Sequence, residues 1–135
     1  MNQNEILMKY LMSPAMSGMV GMAVFYQLYG NTGTVKMGPM QLSAAPAFGL
    51  SVALGDVLGT IAADAIADSE KVTQLDTSIR MLVKPAITGV TTLAVMTVAI
   101  STPRDISAVV RIIGMGAASE VGGTYMQQLV MGATP

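Results

Sequence analysis

Two carboxylates that interrupt long apolar stretches are the residues of this sequence best suited to chemistry. Asp56 lies in the segment GDVLGT (residues 55–60), and Glu120 lies in the similar segment SEVGGT (residues 119–124). A charge at the centre of a membrane span costs roughly 2.5–3.5 kcal/mol on insertion scales, so each acid needs a compensating partner or a role. Thr60 and Thr124 each follow an acid by four residues, which on a helix places a hydroxyl on the same face.

Two interpretations of these acids are open at the level of sequence. In the first, Asp56 and Glu120 form an ion or proton site near the membrane midplane, with Thr60 and Thr124 beside them. In the second, the acids are protonated or hydroxyl-bonded groups that hold helices together, because burial without a cation favours the neutral form of a carboxyl group.

Three further charged residues are expected at the ends of the apolar stretches. Arg111 precedes Glu120 by nine residues, which places the two on opposite helix faces and roughly 13 Å apart. We therefore expect Arg111 to extend to the nearer interface or to contact another chain. Asp64 and Lys84 are expected to form an ion pair at the interface.

The composition argues against most catalytic chemistry. The 135 residues include no Cys and no His, which removes thiolate nucleophiles, imidazole bases and the usual zinc ligands. We therefore expect no enzymatic activity, no metal site and no cofactor. The net charge of -1, with basic residues scattered along the chain, disfavours a nucleic-acid partner.

The elements that must position these residues are predicted to be helices in a lipid bilayer. The chain is 52% hydrophobic and 11% charged, against about 25% charged in a typical soluble domain, so we predict an all-α integral membrane protein. An apolar soluble helical protein is the alternative. The four predicted transmembrane helices are residues 14–29, 43–67, 85–101 and 106–131.

The segments between these stretches have their own signals. Residues 2–12 and 68–84 mix charged and apolar positions, which is typical of short interfacial helices. Residues 30–39 are rich in turn-forming residues and predict an exposed loop. Asp105 is predicted to cap the fourth transmembrane helix.

Small residues recur at helical spacing and predict close packing between helices. Such residues let two membrane helices approach each other closely. The candidate packing residues are Gly55, Gly59, Gly114, Ala118, Gly122 and Gly123. Four short helices cannot cover all of these faces, so we expect neighbours in the membrane, either other subunits or copies of this chain.

The sequence also indicates an internal duplication within a single membrane domain, residues 1–135. Residues 5–24 align without gaps on residues 76–95, which superimposes Pro14 on Pro85. Asp56 then aligns with Glu120 after a seven-residue shift in the loop. We predict two helical hairpins in parallel repeats, about 1–67 and 68–135, each preceded by an interfacial helix, with Pro14 and Pro85 at the helix entries.

Two spans in each repeat place both termini on the same side of the membrane as residues 68–84. Basic residues are more frequent on that side, which favours the cytoplasmic side or its equivalent. The basic residues compared are Lys9, Lys71, Arg80 and Lys84 on that side and Lys36 and Arg104 on the other.

Two hairpins with an acid in the second helix of each resemble, in architecture only, the four-span rotor proteolipids of rotary ATPases. The glycine ladder of that family is missing here, since residues 14–24 and 85–95 hold only Gly18, Gly21 and Gly89. An intramembrane aspartyl protease would need a glycine two residues before its catalytic acid, where this chain has Leu54.

We therefore expect a structural subunit within a larger membrane-embedded assembly. That assembly is a bioenergetic complex or the inner membrane of a membrane-containing virion. The alternative function is conduction of protons or cations through Asp56 and Glu120.

Overall fold

The structure of this chain is a computed structural model, which describes residues 3–30, 34–66, 69–74, 77–100 and 105–131. Four long helices and one short β-hairpin dominate the described part. The helices are α1 (Gln3–Leu7), a π-helical turn (Met8–Met12), α2 (Ser13–Tyr29), α3 (Ala44–Ile66), α4 (Glu70–Thr73), α5 (Thr77–Ala99) and α6 (Ile106–Met131). The strands are β1 (Thr34–Met37) and β2 (Met40–Ser43), which pair antiparallel.

The helical prediction is confirmed, and three of the described helices are long and apolar enough to cross a membrane. These are Ala44–Ile66, Met81–Ala99 and Ile106–Val130, with mean hydropathies of 1.5, 1.5 and 1.2. The helix α2 has 17 residues, which corresponds to about 26 Å. The bounds of α6 match the predicted range 106–131.

The four long helices form a ring in which α2 packs on α3, α3 on α5, α5 on α6, and α6 on α2. Neighbouring helices run antiparallel. Between α2 and α3, for example, Gly18 lies against Ala53, and the later residue Met22 lies against the earlier residue Gly49. Glycines permit the close approach, since a Cβ added at Gly49 would lie only 2.7 Å from the carbonyl oxygen of Gly18.

The interior of the bundle is largely polar, and its exterior is apolar. Fully buried apolar packing centres on Phe48 and Val52, with Phe25 stacked on Phe48 at 5.3 Å between ring centroids. Polar side chains buried inside include Ser17, Ser51, Asp56, Thr60, Thr88, Thr92, Ser119, Glu120 and Gln127. Large apolar side chains exposed outside include Met19, Leu28, Leu54, Leu58, Val90, Val98, Val110, Val121 and Leu129. Water-soluble proteins bury apolar residues preferentially, so this distribution is the reverse of theirs.

The prediction of a separate interfacial helix ending at Pro85 is wrong. The short helix α4 covers part of residues 68–84, but α5 begins at Thr77 and continues through Pro85. Residues 3–12 likewise form α1 and the π-helical turn, which leads into α2 one residue before Pro14. A proline removes one backbone hydrogen bond, and helices packed against neighbours tolerate that loss.

The predicted exposed loop contains the strand β1 and the turn of the β-hairpin, so the prediction is wrong for part of residues 30–39. Gly38 adopts a positive φ of 62° in the two-residue turn, where a glycine is favoured. Met37 is only 4% exposed, and the N–H of Gly38 donates to the carbonyl of Ala99 at 3.3 Å. The hairpin therefore packs on the end of the bundle where α5 terminates. Residues 31–33 lie outside the described residues.

Candidate functional site: a buried charge cluster

The ammonium group of Lys84 joins Asp56 and Glu120 inside the bundle. Its Nζ donates to Asp56 Oδ1 at 2.7 Å and to Glu120 Oε1 at 2.9 Å. Asp56 is fully buried and Glu120 is 4% exposed, whereas the side chain of Lys84 is 31% exposed. These three groups, referred to below as the charge cluster, link α3, α5 and α6.

Hydroxyl groups complete the bonding of the two carboxylates. Ser13, at the start of α2, donates through Oγ to Asp56 Oδ2 at 3.0 Å. Thr124 donates to Glu120 Oε1 at 3.2 Å, whereas Thr60 donates to the backbone carbonyl of Asp56 at 2.8 Å. All four long helices therefore contribute a side chain to the charge cluster or its hydrogen bonds.

The charge cluster is a strong cross-link between helices. Hydrogen bonds between ionised groups are shorter and roughly twice as strong as neutral ones, and both Lys84 bonds fall within that short range. With all three groups ionised, two carboxylates face one ammonium. The cluster with all three groups ionised therefore has an excess of one negative charge.

Further hydroxyls line the interior beyond the charge cluster. Ser17 lies one turn after Ser13, and Thr88 and Thr92 lie one and two turns after Lys84. All three are fully buried, and their hydroxyl oxygens have no hydrogen-bond partner in the part of the chain that the structure describes. These hydroxyls face glycines of the neighbouring helices, which are Gly123 for Ser17, Gly59 for Thr88 and Gly55 for Thr92.

A cavity connects the charge cluster to the outside of the bundle between α5 and α6. Its volume is about 410 Å³, and its polar lining residues include Lys84, Glu120, Thr124 and Gln128. Apolar groups such as Leu82 and Val121 line the rest. The partial exposure of Lys84 is consistent with this opening.

The predicted packing residues fall into two groups. Gly55 and Gly59 contact α5, while Gly122 and Gly123 contact α2 through Val20 and Ser17. Gly114 and Ala118 lie on the exposed face of α6. A Cβ added at Gly114 would meet no atom within 4 Å among the described residues, and Ala118 is exposed.

The structure corrects the predicted pairing of Asp64 with Lys84. Lys84 points into the bundle and bonds Asp56, whereas Asp64 lies on the exposed surface of α3, eight residues or about 12 Å further along that helix. The second interpretation of the acids considered burial without a cation, and Lys84 supplies a cation to both of them. Arg111 is exposed and donates to the carbonyl of Ser107 at 3.3 Å and to Tyr29 Oη at 3.5 Å.

The role of Lys84 was missed at the level of sequence, although a signal for it exists. The alignment of residues 5–24 on 76–95 superimposes Ser13 on Lys84, and each residue immediately precedes one of the buried prolines, Pro14 and Pro85. Both residues bond Asp56 in the structure. A polar residue at the same place in both segments was therefore the available clue.

Comparisons with known proteins identify no relative of this chain. The chain matches no protein-family model, no curated protein and no solved structure. The functional argument therefore depends on the geometry of the chain itself.

Proposed function

We propose that this chain is a structural subunit of a larger membrane-embedded assembly, in which it forms a four-span helical bundle. The main support for this proposal is the distribution of polarity, with a polar interior and an apolar exterior. Buried polar groups such as Ser17, Thr92 and Ser119 are shielded from lipid, while exposed groups such as Leu58 and Val98 suit a hydrocarbon environment. A bioenergetic complex and the inner membrane of a membrane-containing virion are both compatible assemblies.

The charge cluster supports a structural role for the two acids. Lys84 compensates Asp56 and Glu120 from within the chain, so neither acid needs an external ion to be buried. The hydrogen bond from Ser13 extends the link to α2. In this proposal the charge cluster fixes how the four helices pack against one another.

Equivalent contacts at equivalent positions support two duplicated hairpins. The alignment superimposes α2 on α5 with a shift of 71 residues and α3 on α6 with a shift of 64. Contacts made by α3 on α5 then have counterparts made by α6 on α2. The contact Gly59 with Thr88 corresponds to Gly123 with Ser17, and Gly55 with Thr92 corresponds to Ser119 with Gly21.

Cysteine labelling tests the four-span arrangement, because the chain has no natural cysteine. Lys36→Cys reports on the β-hairpin, and Lys71→Cys reports on α4. In sealed, oriented vesicles, a membrane-impermeant maleimide should label the two positions from opposite sides. Labelling of both positions from one side would contradict the arrangement.

The exposed face of α6 supports packing against a membrane neighbour. Gly114 and Ala118 are small, four residues apart and uncovered in the bundle, a pattern found where membrane helices approach closely. Ala118→Cys should crosslink to a neighbouring chain in the native membrane. Ala47→Cys, at a position only 1% exposed, is the matched control and should not crosslink. Absence of any crosslink at Ala118 would contradict packing through this face.

Conduction of protons or cations is a second candidate, favoured by the uneven charge of the charge cluster and the hydroxyls beyond it. Thr88 and Thr92 continue the polar interior from Lys84, and their hydroxyls have no partner among the described residues. Liposomes holding the purified chain distinguish the two functions. Flux that Asp56→Asn or Glu120→Gln abolishes would support conduction and overturn the purely structural role.

A further inference from the structure

A second cavity lies at the end of the bundle near the β-hairpin, away from the charge cluster. Its volume is about 330 Å³, and all four long helices contribute to its walls. Phe25, Phe48, Met96 and Met115 make the interior of this end cavity apolar. The volume lies at the low end of the range for ligand pockets, about 300–1,000 Å³, so it suits one slender chain.

Arg111 is the only cationic residue among the described residues that line the end cavity. Arg111 and Tyr29 both line it, and the guanidinium group donates to the hydroxyl of Tyr29. Arg111 is exposed, and it forms no ion pair with any residue that the structure describes. A guanidinium group has five N–H donors in a fixed fork that matches carboxylate and phosphate oxygens.

The placement of Arg111 determines the kind of molecule that fits. Arg111 is the sixth residue of α6, so it lies about 8 Å along a predicted membrane span. The long side chain of Arg111 extends toward the start of α6, where it bonds the carbonyl of Ser107, and so toward the headgroup layer. Acyl chains of the same lipids lie next to the apolar groups. The uncompensated charge and the apolar interior together call for an acid group attached to a hydrocarbon chain.

We propose that the end cavity binds one acyl chain of an anionic amphiphile, with the acidic headgroup held by Arg111. The chain occupies the space among Phe25, Phe48 and Met115, and the headgroup bonds the guanidinium beside Tyr29. This binding role goes beyond the proposed structural function, and its choice of occupant rests on the membrane placement of α6 in that proposal, whereas the described cavity walls all belong to one chain.

Binding of dodecanoate to the chain in nonionic detergent, measured by native mass spectrometry, tests the proposal. Dodecanol lacks the charge and acetate lacks the chain, so both should bind at least about tenfold more weakly than dodecanoate. Equal binding of acetate or inorganic phosphate would identify a free-anion site and overturn the proposal. Equal binding of dodecanol would overturn the role of Arg111.

Two variants and two controls locate the site. Arg111→Gln should weaken dodecanoate binding about tenfold, and Ala108→Leu, which fills the cavity wall, should weaken it similarly. Lys36→Gln removes an exposed cation of the hairpin, and Ala118→Leu enlarges an exposed residue of α6, so neither should change binding. Unchanged binding in Ala108→Leu overturns the proposal even where Arg111→Gln does not fold.

Discussion

Replacing Lys84 by methionine is the sharpest perturbation of the charge cluster, because it keeps the apolar stem and removes the ammonium. The change deletes two hydrogen bonds, of 2.7 and 2.9 Å, and leaves Asp56 and Glu120 buried together. Breaking a buried ion pair costs about 3–5 kcal/mol. Since 31% of the Lys84 side chain is exposed, solvent screens part of this effect, and we expect a loss of about 3 kcal/mol.

Neutralising an acid should cost less than removing the lysine. Asp56→Asn or Glu120→Gln leaves one carboxylate facing one ammonium, so we expect each variant to lose about 1 kcal/mol. The triple variant, which combines both changes with Lys84→Met, removes every charge of the cluster and should recover most of the loss. Unfolding in mixed micelles by SDS titration, followed by circular dichroism, measures these differences. The reasoning is refuted if Lys84→Met loses less than about 1 kcal/mol, or if the triple variant is as unstable as Lys84→Met.

Three further predictions concern symmetry, packing and capping. If the hairpins are duplicated, adding Ser13→Lys to Lys84→Ser should restore at least half of the stability that Lys84→Ser alone loses. The same SDS titration measures this recovery, and no recovery would contradict the equivalence of Ser13 and Lys84. Gly59→Ala should lower Tm, because its Cβ would lie 2.8 Å from Thr88 Oγ1. Gly114→Ala, on an open helix face, should raise the stability by up to about 1 kcal/mol. The opposite order of stability would contradict the packing described. Asp105→Ala should lower the stability by about 1 kcal/mol, because Asp105 Oδ1 accepts a hydrogen bond from the N–H of Ala108 at 2.8 Å. The rate of amide hydrogen exchange in the first turn of α6 should rise, and an unchanged rate would argue against the cap.

Local signals made much of the helical architecture predictable. The stretch 106–131 was bounded by an N-cap signal at Asp105, and the structure confirms that cap. The bounds of the predicted helix 43–67 are likewise close to those of α3, and residue 67 lies outside the described residues. Long apolar runs with few charges mark such helices directly. Residues 101–104 and 132–135 also lie outside the described residues.

Hydropathy alone did not predict the partner of the acids, because that partner depends on how α5 is rotated in the bundle. Lys84 belongs to a charged segment, so hydropathy placed it at the interface, whereas packing of Gly55 and Gly59 on α5 turns its side chain inward. The polar interior follows from the same packing. The β-hairpin was missed since each strand has four residues, too few for an alternating pattern to stand out.

The central claim, a structural subunit within a larger membrane assembly, is tested most directly by the mass of the particle extracted from the native membrane. Solubilisation in a mild nonionic detergent, followed by size-exclusion chromatography with multi-angle light scattering, gives the protein mass independently of bound detergent. The proposed function predicts a particle well above the 14.0 kDa of one chain, containing further membrane subunits or copies of this one. A monodisperse single chain, or quantitative extraction without detergent, would contradict it.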